Sequence, residues 1–132
     1  MAFLGAGEHE AALAELQKES IQTVRLSGFA EVYHAMGSRQ ESNQYLEALT
    51  ALKNEDSEYL TAEVLAYRGD IDAAFKWIDI VVENDNWRIV DLHTSFMFEN
   101  LHGDPRWSKM MHELGHSPEQ LAAIKFVAVL PE

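Results

Sequence analysis

The sequence predicts an all-α fold in which antiparallel helix hairpins stack on one another. Apolar residues recur every three to four positions through most of the 132 residues, which is the spacing of amphipathic helices. Gly7, Gly37 and Gly69 interrupt this pattern at separations of 30 and 32 residues, a period that fits units of two short helices. We therefore expect one domain over residues 1–132, with repeat hairpins at about 7–86 and capping helices with a tail at 87–132.

Each predicted helix has its own apolar stripe, and glycines end several of them. The first helix covers about residues 8–19, the second begins at Ile21 and stops at Gly37, and the fourth ends at Gly69. The fifth has the clearest amphipathic pattern, and the pattern then weakens over residues 87–101 before it resumes at Trp107. In chain order the stripes are Ala12, Leu13 and Leu16; Leu26, Phe29, Ala30, Tyr33 and Met36; Tyr45, Leu46, Leu49 and Leu52; Leu60, Val64 and Tyr67; Ala74, Phe75, Ile78, Val81 and Val82; and Trp107, Met110, Met111 and Leu114.

The composition argues against several functional classes. With 22 acidic and 10 basic residues the net charge is −12, which opposes binding to nucleic acid or to an anionic membrane surface and favours a basic partner. No apolar run approaches the roughly 20 residues of a membrane span, and the start lacks the charged region of a secretion signal. The chain has no cysteine, which excludes disulfides and thiolate metal sites. We expect a cytoplasmic protein without a cofactor.

Two segments resemble tetratricopeptide repeats. In T-A-E-V-L-A-Y-R-G-D-I-D-A-A-F-K-W-I-D, residues 61–79, Ala62 and Ala74 occupy the small-residue positions of the two helices and Gly69 the turn. The preceding F-A-E-V-Y-H-A-M-G, residues 29–37, follows the same pattern, although Ser42 then stands where the second helix usually has alanine. Small residues let two helices cross closely, whatever the family. The resemblance implies a short right-handed superhelix of the tetratricopeptide type.

The same resemblance implies a non-catalytic module that binds a peptide or a partner protein. In such repeats the first helix of each unit lines a concave groove, which suits a basic or amphipathic segment here. The alternative is homodimerisation through the apolar stripe at Leu13 and Leu16 or through the tail F-V-A-V-L-P, residues 126–131. Transferred by position, the predicted groove residues are Ser27, Glu31, His34, Tyr59, Glu63 and Tyr67.

Near the C-terminus, H-E-L-G-H at residues 112–116 matches the H-E-x-x-H pattern of zinc proteases. We interpret it instead as a helix end, with Asp104 as N-cap, Pro105 at the first helical position and Gly115 as the left-handed terminator. His116 would then not stand one turn above His112, and residues 117–132 offer no suitable third ligand. We therefore predict neither a metal nor an enzyme.

The segment around this motif shows a second resemblance. L-H-G-D-P-R-W-S-K-M-M-H-E-L-G, residues 101–115, resembles the closing segment of bacterial tetratricopeptide proteins. Such segments often end larger proteins with nucleotide cyclase, kinase or winged-helix domains, which implies a role in signalling or transcription. Ser117 and Gln120 then form a plausible capping box that opens a last short helix to about Lys125.

Overall fold

The computed structural model describes residues 6–117, 119, 120 and 122, and this part of the chain is helical without a strand. The all-α prediction is therefore confirmed. Two compact units are present, one up to Asn100 and the other from Leu101 onward. The single domain over residues 1–132 stays a prediction. The helices are α1 Ala6–Gln17, α2 Gln22–Ala35, α3 Arg39–Ala51, α4 Glu55–Tyr67, α5 Ile71–Glu83 and α6 Pro105–Glu113, with 3₁₀ segments at Trp87–Asp91 and Phe96–Leu101.

In the first unit, α2 pairs with α3 and α4 pairs with α5, and the two hairpins stack because α4 packs against both α2 and α3. This arrangement is repeat-like. Ala30, Ala62 and Ala74 are fully buried, as expected for residues that allow close helix crossings. The helix α1 covers α2, and the approach is so close that a Cβ on Gly28 would clash with the Leu16 side chain.

Glycines end three of the helices as the sequence predicts. Gly37, Gly69 and Gly115 have φ values of +79°, +81° and +78°, a region that side chains disfavour. After each glycine the next N–H donates to the carbonyl five residues earlier; Asp70, for example, donates to Leu65 at 2.9 Å. This bond satisfies a carbonyl that the helix end leaves without a partner.

The helix α4 is the most buried helix of the first unit, and side chains from outside it bond to its ends. Asn54 caps its start, since its side chain accepts from Ser57 N at 2.8 Å. Asn86 Nδ2 donates to the carbonyl of Glu55 at 2.8 Å, and Asn100 Nδ2 donates to the carbonyl of Ala66 at 2.9 Å. Residues 87–100 therefore belong with the hairpins, although the apolar pattern placed the end of the repeats at residue 86.

The second unit begins with α6. The Asp104 carboxylate accepts from Arg106 N at 2.9 Å and Pro105 stands at the helix start, so both predicted starting residues are confirmed. Ser117 and Gln120 form the predicted capping box, with Ser117 N donating to Gln120 Oε1 at 3.0 Å. Most of the predicted last helix and the tail at residues 126–131 lie outside the described residues.

Across residues 6–117, each helix is too short or too polar to cross a lipid bilayer.

Candidate functional site

Two carboxylates, Glu31 and Glu63, stand at equivalent positions of α2 and α4. They are 32 residues apart, the same separation as Gly37 and Gly69. Because α2 packs against α4, the two half-buried side chains lie close enough for the charge of Glu63 to act on Glu31. The structure therefore brings together two of the six predicted groove residues.

The surroundings of Glu31 disfavour its charge. Burial, and then the neighbouring charge of Glu63, raise the pKa of Glu31 from 4.5 to about 8. Among the described residues none donates a hydrogen bond to this carboxyl and none forms an ion pair with it. Burial together with the charge of Glu31 also raises the pKa of Tyr67. Near neutral pH Glu31 is therefore mostly protonated.

The Glu63 carboxyl has more support. Burial raises its pKa, but Ser95 Oγ donates to Glu63 Oε2 at 2.7 Å, and this bond and the Arg88 charge act in the opposite direction. Arg88 itself is shared, because it also pairs with Asp56 at 3.5 Å and with Asp91 at 3.6 Å. Of the two carboxyls, Glu63 is the one that has both a hydrogen-bond donor and a cation acting on it among the described residues.

Tyr59 lies close to Glu63 in α4 and is fully buried. Its ring meets Phe98 edge to face at a centroid distance of 5.8 Å, and the Arg88 guanidinium lies 4.3 Å from the ring centroid. Burial and then the charge of Glu63 raise the pKa of Tyr59 above its usual range. Its hydroxyl forms no hydrogen bond of standard geometry in the described chain. Hydrogen bonding with Ser95 nevertheless acts on the pKa of this hydroxyl, and hydrogen bonding from Tyr59 acts on that of Glu63.

His34 and Tyr67 lie at the C-terminal ends of α2 and α4. Their rings meet edge to face at 5.6 Å. Burial, followed by the charges of Arg68 and Arg39, lowers the pKa of His34, so its imidazole is neutral at pH 7. The two rings form a half-buried, uncharged flank beside the carboxylates.

The six predicted groove residues therefore differ in exposure. Glu31, His34, Glu63 and Tyr67 are half-buried, whereas Ser27 and Tyr59 are 5% and 0% exposed. The Ser27 hydroxyl is satisfied within its own helix, since it donates to the carbonyl of Val24 at 3.1 Å. Neither Ser27 nor Tyr59 presents its side chain at the surface. A partner in the predicted groove would therefore contact the four half-buried residues instead.

Ser42, the departure from the repeat pattern, is fully buried between the hairpins. Its Oγ donates to the carbonyl of Ala30 at 2.8 Å and accepts from Arg68 Nη1 at 3.3 Å. The guanidinium of Arg68 is itself paired with Asp70 at 3.1 Å, and Arg39 reaches the same carboxylate at 3.3 Å. The hydroxyl thus connects the two hairpins where alanine would only fill space.

The H-E-L-G-H segment has the helix-end geometry that the sequence predicts. The helix α6 stops at Glu113, Gly115 has a φ of +78°, and His116 N donates to the carbonyl of Met111 at 2.7 Å. His112 is exposed and lines an open cleft of about 490 Å³ in the second unit, together with Trp107 and Met111. Among the described residues, no three histidine or acidic side chains are arranged to hold a metal ion. The absence of enzymatic activity stays a prediction.

Ser95, which bonds to Glu63, and Arg88, whose charge acts on Glu63, were not among the predicted groove residues. Ser95 stands 32 residues after Glu63, just as Glu63 stands 32 residues after Glu31, so the repeat spacing was a usable signal. Arg88 has no such signal, because it lies in a 3₁₀ segment outside the helical pattern.

Comparisons of the chain with family models, with curated proteins and with solved structures find no match.

Proposed function

We propose that this protein is a non-catalytic interaction module of the tetratricopeptide type, and that the face formed by α2 and α4 binds a basic or amphipathic segment of a partner protein. One observation supports this more than any other. Glu31 and Glu63 are half-buried on two adjacent helices and near enough for the charge of one to act on the other, in a chain with a net charge of −12. Complementary charge speeds the encounter with a basic partner, and it helps to fix how that partner is aligned on the surface.

The two rings next to the carboxylate pair support the same proposal. The rings of Tyr67 and His34 offer apolar contact area with hydrogen-bonding edges, which is typical of residues that contribute strongly to protein interfaces. A cytoplasmic location, which we expect from the sequence composition, belongs to the same proposal. So does a role within a larger bacterial signalling or transcriptional regulator, which the sequence resemblance implies.

A peptide-display selection against the full chain tests this function. The double variant Glu31→Lys with Glu63→Lys is compared with Glu47→Lys and Asp79→Lys, which make the same charge change at exposed positions of α3 and α5. We expect selected peptides to be rich in lysine or arginine, and to bind the first variant at least tenfold more weakly and the control variant as well as the wild type.

Thermal unfolding by circular dichroism establishes that each variant is folded. Failure to select any peptide, or peptides that bind the two double variants equally, would contradict the proposal.

A further inference from the structure

The chain from Ser95 to Asn100 is held against the C-terminal half of α4 by hydrogen bonds at both of its ends. At one end Ser95 Oγ donates to Glu63 Oε2 at 2.7 Å. At the other end Asn100 Nδ2 donates to the carbonyls of Ala66 and Tyr67 at 2.9 and 3.3 Å. Because Glu63 and Tyr67 are one helical turn apart, this stretch runs alongside the part of α4 that contributes to the α2–α4 face.

A pocket of about 160 Å³ opens between this stretch and the end of α4. It is lined by Tyr67, Phe96, Met97, Glu99 and Asn100. Sites for cofactors and drug-sized ligands usually enclose about 300–1,000 Å³, whereas a cavity of about 150 Å³ accepts a single benzene ring. The pocket therefore has the size for one side chain rather than for a cofactor.

Phe96 gives the pocket an apolar wall that extends into solvent. Its side chain is 56% exposed, whereas the next two residues, Met97 and Phe98, are 7% and 0% exposed. A phenylalanine ring left in water forfeits much of the free energy that its burial would contribute. A single exposed ring is ordinary on a protein surface, but this one adjoins a pocket, so a ligand that enters the pocket also buries the ring.

The lining groups favour an aromatic side chain with a positive charge close to it. Tyr67 and Phe96 supply rings and Met97 supplies a thioether, and both kinds of group contact aromatic rings favourably. Asn100 uses its NH₂ group on carbonyls of α4, which leaves its carbonyl oxygen as an acceptor. Glu99 is exposed and adds a carboxylate. The polar part of the lining therefore accepts hydrogen bonds, and complementary charge selects an ammonium or guanidinium donor.

On the basis of the function proposed above, we infer that this pocket binds one phenylalanine-like side chain of the partner segment, with a neighbouring lysine or arginine of the partner directed toward Glu99. The pocket adjoins the α2–α4 face through Tyr67, so a segment that lies on that face also reaches the pocket. The aromatic side chain then determines how the segment is aligned along the face.

The test uses fragments that separate the ring from the charge, with the full-length chain. The probe 3-phenylpropylammonium has both features, 3-phenylpropanoate keeps the ring and reverses the charge, and butylammonium keeps the charge without the ring. Each is titrated while the ε-methyl groups of the methionines are followed by NMR. We expect a saturable shift at Met97 with the first probe and a Kd on the order of millimolar. The other two fragments should bind about fivefold more weakly or worse.

Phe96→Ala and Trp87→Ala form a matched pair of variants, because each removes an exposed ring from a 3₁₀ segment. Phe96→Ala should weaken binding of 3-phenylpropylammonium by about fivefold or more, and Trp87→Ala should leave it unchanged. Glu99→Gln should weaken 3-phenylpropylammonium but not 3-phenylpropanoate. Circular dichroism during thermal unfolding establishes that all three variants are folded.

Absence of a saturable shift at Met97, or equal binding of butylammonium, would overturn the inference. Equally large shifts at Met111, which lines the cleft of the second unit, would do the same because the ring would then have no preferred site. With no probe present, a Met97 shift that depends on protein concentration would mean that a second copy fills the pocket. A shift that changes with Phe126→Ser would mean that the tail fills it, and either result would overturn the inference.

The outcome is separable from that of the peptide selection. If 3-phenylpropylammonium binds at Met97 but no peptide is selected, the pocket stands and the proposed function fails. If selected peptides need the α2–α4 face but share no aromatic residue, the proposed function stands and the inference about the pocket fails.

Discussion

The substitution Glu31→Gln should stabilise the protein at neutral and alkaline pH. The side chain keeps its shape but loses the ability to ionise, and a half-buried amide finds hydrogen bonds in water. In the wild type the folded state raises the pKa of Glu31 from 4.5 to about 8. The folded state therefore holds this proton more tightly than the unfolded state does, and stability falls as the pH rises through the window between these two values.

The size of the effect follows from the pKa change. At about 1.4 kcal/mol per pH unit, the rise from 4.5 to about 8 means that ionised Glu31 costs the folded state at most about 5 kcal/mol. Near pH 8 about 4 kcal/mol of this cost applies, and near pH 5 about 1 kcal/mol. Glu31→Gln should therefore stabilise the protein by about 3 kcal/mol more at pH 8 than at pH 5.

Urea unfolding, followed by tryptophan fluorescence and circular dichroism at the two pH values, measures this difference. Glu47→Gln on the exposed face of α3 removes the same charge and is the matched control, for which we expect a change within about 0.5 kcal/mol at either pH. A gain from Glu31→Gln that is the same at pH 5 and pH 8 would refute the reasoning, because it would mean that folding does not change the proton affinity of this carboxyl.

Three further predictions concern the helix ends, the metal question and the alternative function. Gly69→Ala should lower the free energy of unfolding, measured by thermal unfolding, by about 1 kcal/mol because the φ of this residue is +81°. Gly103→Ala is the control and should be neutral, since no atom lies within 4 Å of the added Cβ. Equal effects of the two substitutions would contradict this prediction. Metal analysis of protein prepared without chelator should find no stoichiometric zinc, and stoichiometric zinc that is lost in His112→Ala would overturn the interpretation of H-E-L-G-H. The homodimer alternative predicts a concentration-dependent dimer in sedimentation that Leu13→Glu abolishes, and a strict monomer at high concentration would exclude it.

The helices and their ends were predictable because local chemistry determines them. Gly37, Gly69 and Gly115 end helices wherever a left-handed residue is needed, and Asp104 with Pro105 starts α6 in the expected way. The repeat spacing of 32 residues also puts Glu31 and Glu63 at equivalent positions of two helices. These signals act over a few residues or over one fixed period, so a single sequence is enough to reveal them.

The burial of Tyr59 could not be predicted in this way. Its position in α4 corresponds to that of Ser27 in α2, and the family pattern places both on the groove side. The cover comes from Phe98 and Arg88, which lie in a segment with no helical period. Contacts from 3₁₀ segments depend on tertiary packing rather than on periodicity, so the enclosure of Tyr59 has no signature in the apolar pattern.

The asparagine bonds at the two ends of α4 have a consequence for how the protein can be divided. A fragment that stops after α5 would keep both hairpins but lose Asn86 and Asn100, which bond the carbonyls of Glu55 and Ala66. It would also uncover the Tyr59 ring and remove the donor to Glu63. Shortened versions for crystallography or for fusion to other domains should therefore retain residues up to at least 100, since the smallest piece able to hold α4 in place is longer than the repeats themselves.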